Sequence, residues 1–224
     1  MKKFFLLLGL FALQSVYATD SPKPNQQIEK ELSELTQKVC ALKSFTANFK
    51  QKDKDPLFMD ETESEGKITF LKKFSVKGET NCLVRFDYQK PEESTTIMTP
   101  HAMIIYTKDM VEPQISPVAG ENSADVLFST FVTPQQLKNH YSIAKNDSKE
   151  DGYSFLLTPK SAFVRRFFEK AEVDFNKKTG LPTRVRQIKL SGQDITITFT
   201  NEQLNPPVDS KLFDSASLSK TEKK

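Results

Sequence analysis

The sequence predicts a mainly β fold of about ten antiparallel strands with three helices, on three observations. A single apolar stripe at helical spacing near the N-terminus gives way abruptly at Ser44 to two-residue alternation. Nine further runs of 5–10 residues repeat that strand-like character, and Pro or Gly turn chemistry separates many of them. Neighbours in sequence are then neighbours in space, and a sheet of that many strands curls, closes or splits.

The helix comes first. Ile28, Leu32, Leu35, Val39 and Leu42 follow at steps of four, three, four and three, with Glu29, Lys30, Glu31, Glu34 and Lys38 between them. That stripe predicts an amphipathic helix over 26–43 that covers an apolar surface on one side. From Phe45 onward, Phe45, Ala47 and Phe49 occupy one strand face and Thr46, Asn48 and Lys50 the other. Strands are predicted at 45–52, 65–73, 82–89, 95–99 and 102–108, with turns at Lys77-Gly78, Lys90-Pro91 and Thr99-Pro100. Helical periodicity returns over 121–141, where Leu127, Phe128 and Phe131 cluster and Thr133-Pro134 opens a second short helix. Strands resume at 141–145, 153–158, 167–176, 183–190 and 194–200. Hairpin turns are predicted at Lys177-Lys178-Thr179-Gly180 and at Ser191-Gly192-Gln193.

Lys2 and Lys3 precede the apolar run 4–13, and Val16-Tyr17-Ala18 follows it, the pattern of a secretory signal peptide over 1–18 cleaved near Ala18. The mature chain, 19–224, is expected to be one domain outside the cytoplasm, with a flexible lead-in and a polar tail from 215. Without Lys2 and Lys3 it carries 30 basic against 29 acidic residues, a balance that gives no basic face for nucleic acid. Two cysteines remain, Cys40 and Cys82. A disulfide between them would contribute about 4 kcal/mol by chain entropy if the Cα atoms can approach; two free thiols are the alternative. Neither follows the signal's apolar run, so no lipid anchor is expected at a new N-terminus.

Catalytic chemistry has little to draw on. The two histidines, His101 and His140, lie in no metal-ligand spacing, and the common hydrolase, metalloprotease and nucleotide motifs are absent. No catalytic residue, metal or cofactor is expected. What stands out is 18 Phe, 5 Tyr and 5 Met without a Trp. Such an inventory fills a core or lines a cavity, and composition does not choose between the two.

The order of segments narrows the choice. The helix, then Ser44-Phe45-Thr46-Ala47-Asn48-Phe49-Lys50-Gln51, Glu65-Gly66-Lys67-Ile68-Thr69-Phe70, Val84-Arg85-Phe86-Asp87-Tyr88-Gln89-Lys90-Pro91 and Ile104-Ile105-Tyr106 resembles the outer-membrane lipoprotein carrier proteins of the LolA type. The likeness continues through Phe155-Leu156-Leu157-Thr158-Pro159 and the closing Asn205-Pro206-Pro207-Val208-Asp209-Ser210-Lys211-Leu212-Phe213. It implies an open, strongly curved antiparallel β-barrel of about ten or eleven strands, lidded by the N-terminal helix and two short helices. It further implies a monomeric periplasmic shuttle, not an enzyme, that holds lipoprotein acyl chains in a hydrophobic cavity. Its partners would be an inner-membrane ABC exporter and an outer-membrane receptor, or the outer membrane directly. A lipid- or peptide-sensing regulator of the envelope with the same fold is the alternative.

The resemblance implies a cavity wall of Phe45, Phe49, Phe70, Phe86 and Tyr88 from the first strands, and Met98, Ile104 and Tyr106 from the next. Leu127, Phe128 and Phe131 of the helical region and Phe155 and Leu157 of a later strand would complete it. Where the family has an Arg-Pro pair whose Arg meets the lid, this chain has Lys72-Lys73-Phe74, making Lys73 the expected lid contact, and Phe86 replaces the usual tryptophan. Lysine lacks arginine's rigid fork of donors, so that contact is expected to differ.

Overall fold

The structure is a computed structural model and describes residues 24–57, 60–74, 80–117, 137–146, 152–160, 165 and 169–218. The leader 1–18, the Lys77-Gly78 turn, and Leu127, Phe128 and Phe131 lie outside the described residues. Helix α1 (Pro24–Ala41) precedes strands β1 (Ser44–Asp55), β2 (Asp60–Phe74), β3 (Thr80–Lys90), β4 (Ser94–Met98), β5 (Ala102–Thr107) and β6 (Gln114–Pro117). A one-turn helix α2 (Leu137–His140) leads into β7 (Tyr141–Lys145), β8 (Gly152–Pro159), β9 (Lys170–Asn176), β10 (Pro182–Ile188) and β11 (Asp194–Leu204). The turns Ser210–Phe213 and Ser215–Ser217 are 3-10 helical.

All eleven strands form one antiparallel sheet in the order β6, β5, β4, β3, β2, β1, β11, β10, β9, β8, β7, which is not closed. Each half is a meander, and the two halves meet where β1 pairs with β11, Phe49 opposite Phe199. The expected mainly β fold, with an open curved sheet and few helices, is what the chain adopts. Strand β6, not predicted from sequence, is an edge strand whose Ile115 is exposed. Solvent on both faces leaves no alternation to detect.

The stripe of α1 fits the concave face. Ile28, Leu32, Leu35 and Leu42 join Phe45, Phe49, Ile68, Phe70, Phe155, Leu157, Val173 and Phe175 in one buried cluster. Register explains the assembly, because Phe45 is opposite Phe70 and Phe70 opposite Val84, so all three point the same way. The Phe45 and Phe70 rings stack at 5.0 Å, while Phe49 meets Phe86 and Tyr88 edge-on at 5.6 and 4.9 Å. Gly66, opposite Phe49, admits no side chain: a Cβ there would lie 2.0 Å from the Asp87 carbonyl oxygen.

A second, smaller cluster lies on the convex face. Ile97, Ile104, Phe213 and Leu218 are buried there, with Leu71, Leu83, Ala102, Tyr106 and Val208 against them. Arg85 holds the covering segment by donating from Nη1 to the Leu212 carbonyl at 2.7 Å. The region from 215 is therefore not wholly a polar tail, since Leu218 is buried beneath it.

Candidate functional site

Helix α1 is tied to the sheet by charged side chains as well as by its stripe. Glu31 is buried, and its Oε1 accepts from Lys145 of β7 at 2.6 Å and from Gln27 at 2.7 Å. Glu34 accepts from the Tyr153 hydroxyl at 2.8 Å, and burial together with that carboxylate pushes the phenol up to about 12. Lys38 donates to the Lys177 carbonyl in the β9–β10 turn, which itself packs on the helix at Gly180. Gly180 has φ +76°, a conformation that suits glycine.

The lysine that meets the helix end is Lys72. Its Nζ donates to the carbonyls of Cys40 at 2.9 Å and Val39 at 3.3 Å, the usual way a cation satisfies the free carbonyls of a last turn. Lys73 is exposed and points the other way, correcting the expectation. The cause is strand alternation: Lys72 is opposite Cys82, a member of the concave cluster, so its neighbour must face the convex side. The two cysteines are both free. Cys40 is on the exposed side of the last turn of α1, whereas Cys82 points into the core, where burial raises its thiol pKa.

Beyond the end covered by α1, the concave face opens into a cavity of about 220 Å³. One wall is Val84, Phe86 and Tyr88 of β3 with Thr96 and Met98 of β4; the other is Val185 and Gln187 of β10 with Ile195 and Ile197 of β11, and Gln51 of β1 lies between. Tyr88 donates to Gln51 Oε1 at 3.2 Å, and burial raises the phenol's pKa, keeping it a donor. A larger hollow of about 480 Å³ at the ends of β3 to β5 is wide open and includes Glu93 and Lys108, a poorer surface for an apolar group.

Of the residues expected to line a cavity, Phe86, Tyr88 and Met98 do so. Phe45, Phe49, Phe70, Phe155 and Leu157 are packed in the adjoining core beneath α1. Ile104 and Tyr106 belong to the convex cluster and are separated from the cavity by the sheet itself. Sequence reasoning missed Val185, Gln187, Ile195 and Ile197. Their signal was the two-residue alternation of β10 and β11, whose register sets Val185 opposite Ile197 and Gln187 opposite Ile195.

The charged residues of β9 to β11 face away from this cavity. Arg184 binds Asp174 at 2.8 Å and Glu172 at 3.1 Å; Arg186 binds Asp194 at 2.7 Å and Glu172 at 3.3 Å. Among the described residues no group of three or more His, Cys, Asp or Glu is arranged to hold a metal, and no helix is long and apolar enough to cross a membrane.

Comparison with known proteins gives a match of residues 41–216 to the family model "Outer membrane lipoprotein carrier protein LolA". No curated protein sequence matches. Among solved structures, a DUF1329 family protein from Desulfovibrio piger superposes with TM-score 0.52 at 11% identity, over 88% of this chain and 100% of that one. MucB in the Pseudomonas aeruginosa MucA/MucB complex gives 0.49 at 14%, over 84% and 60%. Mycobacterium tuberculosis lipoprotein LppX gives 0.45 at 10%, over 83% and 98%.

Proposed function

The chain belongs to the LolA family of outer membrane lipoprotein carrier proteins, and on that premise we propose that it is a soluble periplasmic chaperone carrying lipoproteins from the inner to the outer membrane. The leader over 1–18 would deliver it there, with residues 19–224 forming one carrier domain. An inner-membrane ABC exporter would load it, and an outer-membrane receptor, or that membrane itself, would unload it. The acyl chains would occupy the concave cavity.

The observation that carries this reading is the cavity itself: an apolar hollow walled by Phe86, Met98, Val185, Ile195 and Ile197 beside the buried core of the concave face. Each buried methylene contributes about 0.8 kcal/mol, so even a short length of acyl chain binds without polar recognition. At about 220 Å³ the cavity is smaller than the roughly 300 Å³ from which ligand sites ordinarily start. It therefore holds part of a chain, and Met98 is a wall residue able to change shape around more of it. Partial, adaptable burial suits a carrier that must also release.

The test is to express the chain with its leader, purify it gently from the periplasm and analyse it by native mass spectrometry and organic extraction. Acylated lipoprotein or lipid is expected with the wild type. With Ile195→Trp, which fills the cavity, it should fall about tenfold or more at unchanged helix and strand content. A wild-type chain that is always empty and binds no apolar dye overturns the proposal.

A further inference from the structure

Along the concave face of β1 the exposure of successive residues rises from buried Phe45, Ala47 and Phe49 to half-buried Gln51 and Asp53. The cavity begins where that change occurs. Its walls are apolar except at Gln51, Gln187, Tyr88 and Thr96. Two of these four engage each other, Tyr88 donating to Gln51. Gln187 differs: its Nε2 is buried, and among the described residues no group accepts a hydrogen bond from it. A buried amide donor without an acceptor is costly, and native proteins keep such groups chiefly where a ligand or water satisfies them.

The same residue is flanked by Ile195 across the β10–β11 pair and by Val185 two positions before it, so an acceptor brought by a ligand would arrive on a largely apolar body. An alkyl chain alone offers no acceptor. A carboxylate is strongly hydrated, and among the described residues no cation lines the cavity to receive it. An uncharged carbonyl at the head of an alkyl chain meets both conditions.

We propose that the cavity recognises an acyl ester or acyl amide, with the alkyl chain along Val84, Phe86, Met98 and Ile197 and the carbonyl oxygen accepting from Gln187 Nε2. The inference rests on the acyl-binding reading above and adds that the head of the acyl group is fixed in position. The chain supplies affinity by area; the carbonyl supplies register.

The test uses three probes with the same C14 chain, each displacing an apolar fluorescent dye from the purified protein: monomyristoyl glycerol (ester), N-(2-hydroxyethyl)myristamide (amide) and 1-O-tetradecyl glycerol (ether, no carbonyl). Wild type is expected to bind the ester, the amide or both about threefold to tenfold more tightly than the ether, the worth of one hydrogen bond. Which of the two carbonyl probes is preferred identifies the linkage that is read. The preference, read within each variant as the ratio of ester or amide affinity to ether affinity, should vanish in Gln187→Leu and in Gln187→Glu. Equal binding of all three probes by wild type, or a preference that survives both substitutions, overturns the inference and leaves acyl binding intact. If no probe displaces the dye, both readings fall.

Discussion

At the scale of single residues, the faces of β1 to β3 were legible because polar and apolar residues alternate there, and Phe45, Phe49, Phe70 and Phe86 all point into the concave cluster. The face of Ile104 and Tyr106 was not. Around them Thr95-Thr96-Ile97-Met98 and Met103-Ile104-Ile105-Tyr106 present apolar or small groups to both sides, although only the convex side is closely covered. A strand with apolar residues on both faces has no period to read. Lys72 and Lys73 are a sharper case, because one position separates a residue that holds the helix from one that meets water. Lys72→Met should lower the unfolding free energy by about 0.5–1 kcal/mol, the worth of a cation at a helix C-terminus. It should also speed amide exchange in the last turn of α1. Lys73→Met should do neither beyond about 0.3 kcal/mol, and urea melts with site-resolved hydrogen exchange decide; equal effects would mean that Lys72 does not hold the helix.

At the scale of elements, the helix stripe was read correctly, since Ile28, Leu32, Leu35, Val39 and Leu42 are all buried. Glu31, one of the charged residues set between the stripe positions, is nevertheless only 2% exposed. Its position was in the pattern, three residues after Ile28 and four before Leu35, but its partner Lys145 lies 114 residues away, which no local rule supplies. The convex ladder of β9 to β11 illustrates how cross-strand charge pairs lock register. Arg186 grips Asp194 with Nε at 3.0 Å and Nη2 at 2.7 Å, and that hydrogen-bonded guanidinium holds the carboxyl below the ordinary aspartate range against the opposing effect of burial. A lowered folded-state pKa contributes stability that is present above the unfolded value of about 3.9 and is lost as pH falls through the folded one. Asp194→Asn should therefore cost about 0.5–1 kcal/mol near pH 7, where the pair is part-exposed and screened by salt. The wild-type and variant stabilities should converge as acid protonates Asp194. Thermal melts from pH 7 down to about 2 would show it, and a gap that stays constant with pH would assign the loss to packing instead.

At the scale of the whole molecule, one sheet carries two apolar faces with different work to do. Among the described residues, the concave face is covered by α1 at one end and holds the cavity at the other; the convex face is covered by the chain's own C-terminal segment. What allows this is the pairing of β1 with β11, which brings the two ends of the meander together. Asn205 then accepts from the Lys43 amide at 2.7 Å and donates its own amide to the Ser44 carbonyl at 2.8 Å. From that corner the Pro206-Pro207 segment leads to Phe213, buried against Ile97 and Ile104. Because the sheet lies between the two clusters, stability and binding should separate by face. Phe213→Ala should cost about 3–5 kcal/mol, the range for emptying a buried phenylalanine site, and lower the melting temperature with dye affinity changed less than about twofold. Ile195→Trp should do the reverse, abolishing dye binding with a melting temperature within a few degrees of wild type. If each substitution instead moves both quantities together, the sheet transmits strain between its faces. Binding in the cavity would then be coupled to the C-terminal cover, and the convex cluster would contribute to binding as well as to stability.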